Sequence, residues 1–233
     1  MAGVTVLAAL GLLAAADTAA AQVAGVPVYF NPRGGGGFSL AANLGATSSD
    51  TRPVEGKAWA LSAGLGFSRV RLSATVGSFN PDSAGLASQT TYAAMAEVRL
   101  FGGGLVPLAI SAAAGLGANK TVLSGQNKTE IHVPIGLGAA LNFPLFPLKP
   151  WVAPRIQIDR VLTDDPTTAQ VDLAMRSASS FRVSAGVDFS LLLGLGVHAA
   201  VDWGTLPKKL DPNTNSALTL GVGGHFNFSV PMM

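Results

Sequence analysis

The sequence contains no cysteine, which excludes a disulfide framework and any zinc site built on thiolates. Charge is scarce as well: Asp, Glu, Lys and Arg make up 12% of the 233 residues, about half the usual share. The 15 basic and 13 acidic residues are scattered along the chain. Without a Lys/Arg cluster there is no electrostatic footprint for nucleic acid, which is excluded as a partner. An apolar share of 48% beside so little charge raises the question of where that apolar surface goes.

The run that comes nearest to a membrane-crossing helix is FRVSAGVDFSLLLGLGVHAAVDWG, residues 181–204, whose only charged residues are Arg182, Asp188 and Asp202. Its period is two. Phe181, Val183, Ala185, Val187, Phe189 and Leu191 alternate with Arg182, Ser184, Gly186, Asp188 and Ser190. After residues 192–194 the pattern resumes, with Leu195, Val197, Ala199, Val201 and Trp203 on one face. A helix would spread these charges around its circumference, so the stretch reads as two strands joined by a tight turn.

The same alternation recurs at residues 38–46, 57–67, 70–79, 89–101, 105–118, 129–143, 151–161 and 216–230. Together with the two strands of 181–204 this makes ten segments, or eight strands if two of them are misread. Long polar connections at 47–56, 80–88, 119–128, 162–180 and 205–215 alternate with short links around Ser68, Gly103, Leu145 and Leu193. Short turns on one rim, long loops on the other and segments of about ten residues predict an all-β fold, a closed antiparallel transmembrane β-barrel. The aromatics agree with girdles, with Trp59, Tyr92, Phe181 and Trp203 at the outer ends. Phe67, Phe143, Trp151, Phe189, Phe226 and Phe228 fall near the inner ends. Phe79 and Phe101 fall on the opposite phase and mark bulges or packing inside the barrel.

The N-terminus, MAGVTVLAALGLLAAADTAAAQ, carries an apolar stretch followed by an A-x-A signal at 19–21. It is read as a secretory signal peptide, residues 1–21, cleaved near Ala21. Residues 22–37 contain a glycine run and form a flexible arm, lying outside the barrel or tucked into its lumen. The barrel occupies residues 38–230.

With these segments and the final strand LTLGVGGHFNFSV, the chain resembles the small outer-membrane β-barrel proteins of Gram-negative bacteria, the group of OmpA-like and OmpX-like barrels. The resemblance implies a bacterial outer-membrane location, with membrane lipids around the barrel and the barrel-assembly machinery as partner during biogenesis. It implies either a structural barrel or a narrow, porin-like pore for a small solute. Two further classes stay open: an adhesin or binding protein acting through the long extracellular loops, and a hydrolase with an active site at the rim.

The inward phase carries Arg71, Glu97, Arg99, His132, Arg155, Asp159, Arg182, Asp188, His198, Asp202 and His225. A lipid-facing Lys or Arg at mid-membrane costs roughly 2 to 4 kcal/mol, which accounts for their confinement to one phase. They form a predicted lumen network that either gates a pore or neutralises itself and fills the barrel. Strand directions place Asp188 opposite His198, Ser184 opposite Asp202 and His198 beside His225, with Arg71 reaching Glu97 and Asp159 reaching Arg182.

For a rim enzyme the candidates are His132 with Asp164 and Asp165, yet no close Asp–His pair is expected there, and the reading is non-enzymatic. Two histidines without a third ligand make no metal site. The four Gly-Leu-Gly triplets, at 64–66, 115–117, 136–138 and 194–196, are not completed as a dinucleotide fingerprint, and no cofactor is implied.

Overall fold

The computed structural model describes residues 25–27, 37–49, 55–82, 87–103, 106–123, 126–143, 146–163, 177–205 and 216–228. Ten strands run in order: β1 (Gly37–Ser49), β2 (Gly56–Phe67), β3 (Val70–Pro81), β4 (Gln89–Gly103), β5 (Val106–Leu123), β6 (Gln126–Leu141), β7 (Leu148–Thr163), β8 (Ser177–Ser190), β9 (Leu195–Thr205) and β10 (Ser216–Phe228). Each strand pairs antiparallel with the next, and β1 pairs with β10 from Phe38↔Phe228 to Ser49↔Ala217. The sheet therefore closes and leaves no edge. Ten strands are present, and the eight-stranded alternative falls.

Alternation sets the two faces. Leu40, Leu61, Leu72, Leu137, Ile156 and Leu220 point outward and are exposed, while the residues between them line the interior. Among the described residues, the strand charges on the outward phase are Lys57, Lys120 and Arg160, all exposed, and each lies toward the rim with the long connections. An apolar belt of this extent, broken by charge only near one rim, is a surface matched to lipid rather than water.

At two of the short links the backbone turns left-handed. Ser68 has φ 54°, and the 3-10 turn Leu192–Gly194 places Leu193 at φ 58° and Gly194 at φ 80°. Two prolines mark interruptions inside the sheet. The β5–β6 ladder skips from Ala114↔Ile135 to Gly117↔His132 beside Pro134, and the β6–β7 ladder skips from Gly136↔Arg155 to Ala139↔Val152 beside Pro154. Proline has no N–H to give a ladder.

Two expectations need correction. Residues 119–128 do not form a long loop: β5 and β6 remain paired from Asn119↔Glu130 to Leu123↔Gln126. Thr121, Val122 and Leu123 favour strand, and Ser124-Gly125 is short enough for a hairpin connection. Trp151 is not part of a lipid-facing girdle. It shares the inward phase of Ala153 and Arg155, is 6% exposed and packs with Ala140, Ala153 and Ala200; Val152 takes the outward position instead. Both off-phase phenylalanines behave as expected. Phe79 packs inside, and Phe101 is exposed at a register shift between β4 and β5.

Of the two places open to the N-terminal arm, residues 25–27 occupy the lumen. Val26 is 4% exposed and clusters with Ala58, Ala60, Phe79 and Ala93. The predicted signal peptide lies outside the described residues.

Candidate functional site

The lumen charges resolve into separate clusters. The most enclosed is centred on Asp202 of β9, which is 0% exposed. Arg155 Nη2 donates to its Oδ1 at 2.8 Å, and Ser184 Oγ donates to the same oxygen at 2.7 Å. Arg182 Nε and Nη2 both donate to Oδ2, at 2.9 and 2.5 Å. Arg155 Nη1 also donates to Ser184 Oγ at 2.6 Å. Ser184 faces Asp202 across the β8–β9 ladder, as strand direction predicts. One carboxylate accepting from two guanidiniums and a hydroxyl satisfies directional bonding inside a low-dielectric lumen and leaves one positive charge in excess. Asp159 does not reach Arg182. Asp202, one diagonal step from Arg182 on the neighbouring strand, accepts from its Nε and Nη2 instead.

Asp159 instead joins a second cluster toward the long-connection rim. His132 Nδ1 lies 2.5 Å from Asp159 Oδ1, and Gln157 Nε2 donates to the same oxygen at 2.7 Å. On the other side of the ring, Nε2 lies 2.8 Å from Asn119 Nδ2. An imidazole protonated at Nδ1 donates to Asp159 and accepts from Asn119, so a single tautomer meets both partners. The expectation of no close Asp–His pair is thus wrong. His132 and Asp159 face each other directly in the β6–β7 register, both inside segments read from the sequence, and the pair follows from the turn around Leu145. Asp164 and Asp165 lie outside the described residues.

The third cluster crosses the closing seam near the short-turn end. His198 and His225 stack with centroids 5.3 Å apart and their Nδ1 atoms 3.1 Å apart. His198 Nε2 lies 2.7 Å from Asn43 Oδ1, and His225 Nε2 lies 3.5 Å from Asp188 Oδ1. Asp188 faces His198 in register, as predicted. Glycine makes this packing fit. A Cβ at Gly223 would stand 2.4 Å from His198 Nε2 and 2.5 Å from the Ala42 carbonyl, and one at Gly196 would stand 2.3 Å from His225 Nε2. Gly223→Ala is therefore expected to destabilise the barrel by about 1–3 kcal/mol through overpacking. A lowered urea midpoint checks this, and an unchanged midpoint would show that the histidines can move aside.

Arg71 and Glu97 are direct cross-strand partners in β3 and β4, as predicted, and the Arg71 guanidinium also bonds the Ser39 hydroxyl. Arg99 is tied to the β2–β3 turn, its Nη2 donating to the Ser68 carbonyl at 3.5 Å. Among the described residues no three His, Cys, Asp or Glu side chains converge as a metal site. Lys149, which donates to Ser190 Oγ at 2.8 Å, was missed because its strand begins earlier than the alternation suggests.

No protein-family model and no curated protein sequence matches the chain. Solved structures do resemble it. Neisserial surface protein A is 10% identical at a TM-score of 0.42, over 82% of this chain and 97% of that one. The outer membrane protease OmpT of Escherichia coli is 10% identical at 0.43, over 83% and 94%. The beta domain of the Bordetella autotransporter BrkA is 12% identical at 0.48, over 83% and 100%.

Proposed function

We propose that the protein is an integral outer-membrane β-barrel whose lumen is held closed, a structural barrel rather than an open pore and without a catalytic role. The observation that carries this reading is the filling of the interior. The Asp202 cluster, the His132 cluster and residues 25–27 together occupy the lumen from mid-height toward the long-connection rim. The belt of outward apolar residues supports the membrane location, because lipid tails cover such a surface at no cost in unsatisfied backbone groups once the sheet is closed.

The lumen charges act as mutually neutralising filler rather than a selectivity ring, since the arginines at the centre are bound to a carboxylate and not turned toward a free passage. The His132–Asp159 pair acts in the same way. Its ring contacts are with a carboxylate and amides.

The test is electrical. Protein purified from membranes, checked for heat-modifiable migration as a sign of a closed barrel, is recorded in a planar bilayer. The expected record is free of steady conductance steps; long-lived steps from a folded sample would contradict a closed lumen.

A further inference from the structure

Two of the outward strand cations stand together. Lys120 of β5 is opposite Thr129 of β6, and Arg160 of β7 is opposite Ile131 of β6, so the pair is two strands apart and one row out of step. Strand spacing puts their Cα atoms about 12 Å apart, close enough for two long side chains to meet over β6. Both are exposed.

Hydroxyl groups surround them. Thr90 of β4 faces Lys120 across the other ladder, Tyr92 stands one row below, and Thr129 lies between the cations. Ala118, in the row of Tyr92 and Arg160, is 3% exposed against 39% for Tyr92. It forms a floor below its larger neighbours. The carboxylates nearest in sequence belong to the other face: Glu130 and Asp159 share the inward phase of His132, at 4.0 and 2.5 Å from its ring nitrogens. Among the described residues no Asp or Glu stands on the outward phase of β4 to β8. Below the patch, Leu116 and Ile158 continue the apolar belt.

Resting on the reading of a membrane-spanning barrel, we infer that this patch binds the phosphate of an anionic lipid in the leaflet beside the long connections. Phosphate complements two cations flanked by hydroxyl donors. The depth agrees, because the cations stand in the row of Tyr92 and the row above it, and interfacial aromatics mark the headgroup level. Acyl chains then lie on Leu116 and Ile158, an apolar wall that a free anion has no use for. Lys57, the third outward cation of this rim, has a different setting. Glu55 and Asp82 stand at the end of its own hairpin, the Asp82 N–H donating to the Glu55 carbonyl at 2.9 Å, and their two charges outweigh the lysine.

The test uses full-length protein in a non-ionic detergent, checked for heat-modifiable migration and titrated with phosphatidic acid or with zwitterionic phosphatidylcholine of the same acyl chains. Bound lipid is counted by native mass spectrometry. The wild type is expected to bind phosphatidic acid about thirtyfold more tightly, the size that two basic side chains at a membrane surface supply, and excess inorganic phosphate should not displace it. Lys120→Gln combined with Arg160→Gln should remove most of this preference, whereas Lys57→Gln should leave it unchanged. If the double variant does not fold, either single Gln variant decides, each expected to lose about fivefold. Equal binding of the two lipids by the wild type, or a preference that survives the Gln variants, would overturn the site. Displacement by inorganic phosphate would overturn the lipid as its ligand. Retention of neither lipid would instead contradict the membrane-spanning reading itself.

Discussion

Replacing Asp202 by alanine is expected to destabilise the barrel by about 3–5 kcal/mol, because it strands two buried guanidiniums that share this one carboxylate. Size is not the cause: Asp202→Asn, which keeps the volume and loses the charge, should lose most of the same stability. The control is Asp82→Asn, an exposed position at the rim, expected to stay within about 0.5 kcal/mol of the wild type. The argument has a second arm. Removing the whole cluster, by Arg155→Met, Arg182→Leu and Asp202→Leu together, takes away the desolvation cost along with the attraction, and is expected to recover much of the loss. Urea unfolding in lipid vesicles measures all four. An Asp202→Ala midpoint no lower than that of Asp82→Asn would show that the arginines are solvated, and so that the lumen is wet and open.

The second large effect belongs to the outside. Leu61 stands mid-way along β2 on the outward phase and is 53% exposed. Leu61→Arg is expected to cost about 2–4 kcal/mol in a bilayer, whereas Phe67→Arg, at the short-turn end of the same face, should cost about 0–1 kcal/mol. The native Lys57 at the other end of this face shows that charge is accepted at the rim. In a water-soluble barrel both substitutions would be near neutral, so equal small effects would remove the membrane from the account. Unfolding in vesicles, with refolding efficiency recorded alongside, separates the two cases.

The barrel was legible in the sequence because a closed sheet between lipid and lumen gives each strand two unlike environments, and a period of two records both. Phe181, Val183 and Ala185 against Arg182, Ser184 and Gly186 needed no tertiary information to be sorted. Contacts along adjacent strands were legible for the same reason: Asp188 with His198, Ser184 with Asp202, and Arg71 with Glu97 follow from a hairpin's register once its turn is placed. What escaped the sequence depended on strand length or on closure. The contact of Asn119 with His132 required β5 to continue through residues that read as a polar loop. Trp151 was misassigned because aromatic residues near a rim suit either a girdle or a packed lumen, and the phase of Val152 and Ile156 decides between them. Asn43 meets His198 only because β1 closes on β10 and so brings β9 within reach. The seating of Val26 left no periodic signal at all, since a single short segment inside a barrel has no repeating environment to match.

The three tryptophans offer the most direct test, because they report on the two faces of the same wall. Trp59 and Trp203 point outward and are each 44% exposed, while Trp151 points inward. In single-tryptophan variants reconstituted into vesicles with brominated acyl chains, the fluorescence of Trp59 and of Trp203 is expected to be strongly quenched and that of Trp151 to be spared. Quenching of Trp151 as strong as that of Trp59 would put the supposed lumen face in lipid and contradict the account.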